Sequence, residues 1–188
     1  MVTVDERIRS VLWRRRDVPG TEWCELNMGA AAKAMHGLIA MAWDGQPWRI
    51  EYAIELDTAG LTRTVTIDAN GGSSTVSLSL HADGQGRWRR GETVVVDAPD
   101  ALDVDLGFSP ATNTLPIRRL GLAVGESAEI GVAWVLFPCF EVEYGRQTYT
   151  RLGEHRWRYR SIGFEAELTV DEDGLVEDYA EWEAVARG

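Results

Sequence analysis

The chain has 188 residues, with nineteen basic against thirty acidic side chains and a formal net charge of −11. That length makes one domain, spanning residues 1–188. The charge excludes the cation clusters that hold nucleic acid and the basic patches that adsorb on anionic membranes. Hydrophobic residues at 45% and charged residues at 26% also exclude a disordered chain.

The first ten residues, Met1 to Ser10, are charged throughout and carry none of the apolar stretch of an export signal. The longest apolar run, 130–140, is interrupted by Gly131 and Pro138 and is shorter than the roughly 18 residues of a membrane-spanning helix. It reads as a buried strand, so no stable membrane insertion is expected. Cys24 and Cys139 lie far apart in apolar sequence and read as buried thiols of a cytoplasmic protein. His36, His81 and His155 show no ligand spacing, so neither a metal nor a cofactor is expected.

In chain order, period-two alternation predicts strands at 11–15, 22–27, 35–43, 48–56, 61–69 and 74–81. Trp48, Ile50, Tyr52, Ile54 and Leu56 share one face, opposed by Arg49, Glu51, Ala53 and Glu55. Shorter extended pieces follow at 87–89, 93–96 and 104–106. The segment 114–120 is the helix candidate: Asn113 or Thr114 can cap it, Pro116 suits its first turn, and Gly121 stands where a helix ends. Strands resume at 128–137, 141–150, 156–162, 164–170 and 175–180, and 180–187 is expected to add a terminal turn. Asp44-Gly45, Asn70-Gly71, Asp83-Gly84 and Asp173-Gly174 mark hairpin turns.

Strands this numerous, with turns too close together for crossover helices, predict a mainly all-β fold. The expectation is a strongly curved antiparallel sheet, a half-barrel or open barrel, with one short helix. Such a sheet must curl because strand twist accumulates, and it buries its apolar face against itself. The run from Ile130 to Phe137 is apolar on both faces and is expected to be covered on both. A curled sheet of this size has room for a ligand cavity.

Eight tryptophans are the most unusual feature of the composition. Aromatic side chains fill β cores, but indole faces also line apolar cavities and stack on the C–H faces of sugars. Trp48, Trp88, Trp134 and Trp157 are the candidates for a ligand wall. Lys33 is the single lysine among the basic residues. Arg156, Arg158 and Arg160 share one strand face, suited either to an anionic group or to carboxylates on a neighbouring strand. Asp103 and Asp105 share a face when extended, as general acid and base pairs do. The alternative is that Arg118 or Arg119 neutralises them while Asn113 ties down the loop. No nucleophile elbow, phosphate loop or EF-hand spacing is present.

The segment Asp103-Val-Asp-Leu106 with Ser109-Pro-Ala-Thr-Asn-Thr-Leu-Pro-Ile-Arg-Arg-Leu120 resembles the glycolipid-binding family of bacteria, formerly a domain of unknown function. The resemblance continues at Asp83-Gly-Gln-Gly-Arg-Trp88, Gln147-Thr-Tyr-Thr150 and Phe164 through Tyr179, and it departs at Ala111, where a bulkier aromatic is expected after the proline. It implies a half-barrel fold similar to lipoprotein-carrier proteins, which hold acyl chains under a curved sheet.

The function expected is non-enzymatic binding of an amphipathic small molecule or glycolipid. Trp48, Trp88, Trp134 and Trp157 would receive its apolar part, and Asp103, Asp105, Asn113, Arg118 and Arg119 would orient its head group. Two alternatives are a hydrolase or isomerase using Asp103 and Asp105 in an enclosed pocket, and a structural module that pairs through an edge strand.

Overall fold

A computed structural model describes residues 8–29 and 33–188. The seven residues on which the reading of the chain start mainly rests lie outside it. The described chain forms one sheet of fifteen strands that rolls into a nearly closed barrel with a single seam.

The first half is a meander. It runs through β1 (Ile8–Arg15), β2 (Gly20–Met28), β3 (Lys33–Trp43), β4 (Gln46–Leu56), β5 (Thr62–Gly71), β6 (Ser74–Ala82), β7 (Arg87–Arg90) and β8 (Thr93–Asp97). The second half begins with β9 (Ala101–Leu106), a 3-10 turn at Ala111–Asn113 and the helix α1 (Thr114–Leu120). It continues through β10 (Ser127–Val135), β11 (Val142–Arg151), β12 (Arg156–Ser161), β13 (Phe164–Val170), β14 (Val176–Tyr179) and β15 (Trp182–Arg187). Neighbours pair antiparallel except β9 and β10, whose parallel pairing is made possible by the intervening helix.

Two expectations change here. The tail is not a terminal turn: Trp182–Arg187 is a strand that pairs with β1 and joins the two halves. The apolar run from residue 130 is a strand only as far as Val135, after which the chain turns towards β11.

The seam lies between β8 and β9. Trp88 is fully buried there, and its indole N–H donates to the carbonyl of Ala101 at 2.7 Å. β5 packs on β9, and β8 on β11. β9 and β10 are therefore buried on both faces. Asp103 and Val132 share one face, while Val104, Leu106, Ala133 and Val135 are buried on the other. This is why the sequence there does not alternate.

The helix sits where expected, ends at Gly121 in the left-handed conformation, and buries Thr114, Leu115, Pro116 and Ile117. Asn113 occupies the N-cap position without capping through its side chain. Its amide is drawn away instead, donating to the Pro110 carbonyl at 3.1 Å and accepting from the Tyr149 hydroxyl at 2.8 Å. The helix, Phe108, Trp13 and the strand side chains together fill most of the space under the sheet. The room left for a ligand is narrower than the strand number implied, and it lies at the barrel's end. Cys24 is buried as expected, whereas Cys139, in the turn before β11, is exposed.

Candidate functional site

At one end of the barrel the interior opens into a cleft of about 280 Å3. Period-two alternation builds its walls. Asp105 pairs with Trp134, Ser161 with Phe164, Tyr179 with Trp182, and Trp182 with Arg15. Paired residues share a face, so all of these side chains turn to the concave side. The segment from Leu106 to Asn113 forms the floor. Gly107 is required beneath Trp134, because a Cβ there would lie 2.7 Å from the indole nitrogen.

Asp105 is the polar centre of this mouth. Its carboxylate accepts from the Gln147 amide at 2.5 Å and from the Thr112 hydroxyl at 3.5 Å. Burial outweighs these bonds and pushes its pKa up to about 6. Tyr159 lies close to the same carboxylate, and burial together with that charge raises its own pKa. Arg15 closes the opposite wall. Its guanidinium lies 5.2 Å from the centres of the Trp43 and Trp182 rings and is held by Asp17 at 2.7 and 3.0 Å.

Behind the floor lies a carboxyl group that sequence reasoning did not single out. Glu22 is wholly buried; one of its oxygens accepts from the Tyr52 hydroxyl and the Ser109 hydroxyl, both at 2.6 Å, and the other has no partner. Desolvation raises its pKa to about 8, against the lowering influence of these bonds and of Arg15. The signal was present in the alternation, since Glu22 shares its face with Cys24 and Leu26. Gln147 and Tyr149 also stood in a noted motif without being given a role.

Of the residues named from the sequence, Asp105, Asn113 and Trp134 meet in the mouth. Asp103 does not. It faces inward next to Asp105 along β9, but its carboxylate is fully buried and receives the Arg119 guanidinium at 2.7 and 3.0 Å. Arg119 is thus spent on this ion pair. The paired-aspartate reading is corrected: only Asp105 lines the cleft. Arg118 turns to the Asp173 carbonyl and, with Trp157, borders a different groove. Trp157 is buried with Arg151 stacked over its ring at 5.6 Å. Trp88 is part of the seam. Trp48 packs edge-on against Phe137 at 5.1 Å, tying the β3–β4 hairpin to the turn after β10. Arg156, Arg158 and Arg160 pair with Glu165 and Glu167 on β13, leaving no free row for an anion.

Comparison with known proteins places this fold in a family. A DUF1089 family protein from Pseudomonas aeruginosa, solved as a crystal structure, is 34% identical, with a TM-score of 0.75 over 85% of this chain and 89% of that one. A beta-barrel-like protein of domain of unknown function DUF1849 from Brucella abortus shares the fold at 9% identity, with a TM-score of 0.56 over 98% of this chain and 97% of that one. No curated protein matches. Among the described residues no helix is long and apolar enough to cross a membrane. The model of the family described as "Putative glycolipid-binding" matches residues 10–184, and the chain belongs to that family.

Proposed function

We propose that the protein binds the sugar-bearing end of an amphipathic ligand in the barrel mouth and performs no chemistry on it. The observation that carries this reading is the meeting of Asp105 and Trp134. A half-buried carboxylate, fixed by Gln147 and Thr112, stands beside an indole in a cleft whose walls include Tyr159, Phe164, Tyr179 and Trp182 together with the charged Arg15 and Glu181. Sugar hydroxyls donate to carboxylates, and the C–H face of a pyranose stacks on an aromatic ring, so both faces of such a ring find a partner here. The volume of about 280 Å3 lies just below the roughly 300–1,000 Å3 of typical small-molecule sites. It suits one ring and excludes a whole glycolipid. The Asp103–Asp105 pair loses Asp103 to Arg119, which counts against hydrolysis by these two aspartates.

The test is native mass spectrometry of the purified chain with octyl β-D-glucoside. A one-to-one adduct that is lost in Trp134→Ala supports the reading. Bare polypeptide only, or an adduct indifferent to Trp134 and Asp105, overturns it.

A further inference from the structure

β11 is longer than the strand beside it. Its last four residues, Thr148 to Arg151, pair with β12, while Val142 to Gln147 pair with β10 alone. On the Val142 side of Thr148 the two strands part, and a gap of about 540 Å3 opens in the barrel wall. Trp134, Tyr159, Ser161 and Ile162 line both this gap and the mouth, so the two spaces adjoin along these four side chains.

The chemistry of the gap differs from that of the mouth. Arg146 is paired with Glu129 at 2.8 Å and Arg160 with Glu165 at 2.5 Å, which neutralises three of the charges around it. Glu143 is the lining charge without an ion pair among the described residues. The rest of the lining mixes the Trp134, Tyr144 and Tyr159 rings, Gly145 and Ile162 with the uncharged polar side chains of Gln147, Thr148 and Ser161. Ile162 is 88% exposed at the two-residue turn between β12 and β13, on the rim shared by the gap and the mouth.

We propose that an alkyl chain of the ligand leaves the mouth sideways through the β11–β12 gap and lies against Trp134 and Ile162. The inference rests on the binding reading above and adds a second subsite, with a separate chemistry and a fixed direction for the ligand. A head group held by Asp105 and a tail directed over Trp134 meet at the residues shared by the two spaces. The uncovered isoleucine is then covered by the ligand.

The experiment is a series of alkyl β-D-glucosides from hexyl to decyl, titrated against the full chain by isothermal calorimetry. Affinity is expected to rise roughly fourfold per added methylene, as burial of each CH2 requires. Ile162→Asp, an exposed change that leaves the fold intact by circular dichroism, is expected to flatten that dependence. Ile162→Leu is expected to keep it. Equal affinity along the series, or an unchanged slope in Ile162→Asp, overturns the lateral route and leaves the head-group site standing. If no glucoside of any length binds, both readings fall.

Discussion

Glu22 and Ser109 are 87 residues apart in the chain, and a 2.6 Å hydrogen bond joins them inside the barrel. The bond ties β2 to the segment that floors the mouth. Tyr52 reaches the same carboxyl oxygen across Gly37, where a Cβ would lie 2.2 Å from the tyrosine ring.

Stability is therefore expected to depend on pH through Glu22. Its folded pKa, about 8, is raised above the ordinary glutamate value of 4.5. The fold holds the proton more tightly than the unfolded chain does. The contribution is fully present below about pH 4.5 and is lost as pH rises through 8. The groups facing Glu22 are Tyr52, the Cys24 thiol and the charge of Arg15. Urea unfolding at pH 5, 7 and 9 is expected to show a falling midpoint in the natural chain and a smaller fall in Glu22→Gln, whose amide copies the neutral acid. Parallel curves for the two proteins would reject this role.

Ligand binding is expected to titrate with Asp105. A sugar hydroxyl donates to the ionised carboxylate, so affinity for octyl glucoside falls as pH drops through about 6. Asp105→Asn removes a charge-assisted bond of about 1.5–3 kcal/mol, a loss of roughly ten- to a hundredfold. Its affinity should be independent of pH between 5 and 8. Calorimetric titration of both proteins across that range is the measurement.

The Asp103–Arg119 pair is expected to be structural. Burial raises the Asp103 pKa and Arg119 opposes that shift, so removing the arginine leaves a carboxylate with neither water nor partner. Arg119→Ala is expected to cost about 3–5 kcal/mol. The double change Asp103→Leu with Arg119→Leu should cost less than Arg119→Ala, because no uncompensated charge remains. Chemical denaturation of the three proteins decides the order.

Trp88 is expected to hold the seam. Trp88→Ala removes a wholly buried indole and its bond to Ala101, a loss of about 3–5 kcal/mol. Hydrogen exchange should then rise first in β8 and β9, the strands that carry no partner across the seam. Uniform exchange along the whole barrel would contradict a local closing role.

Local alternation along the chain was enough to determine most strands, their facing residues and the mainly all-β class, while Pro116 and Gly121 marked the helix and its end. Side-chain direction in a strand has period two whatever the partner strand is. For the same reason Asp103 and Asp105 could be put on one face, and Glu22 beside Cys24 and Leu26. The different fates of the two aspartates were beyond such a pattern. Asp103 meets Arg119 because α1 lies in the concavity, and Asp105 meets Gln147 because β11 lies two strands away. The strand at Trp182–Arg187 was equally hidden, since its identity depends on β1, more than 160 residues earlier. Tertiary structure alone decided where the sheet meets itself, which tryptophans fill the interior and which reach the mouth. Those outcomes depend on closing distant segments around a shared volume, and a short window of sequence carries no measure of that volume.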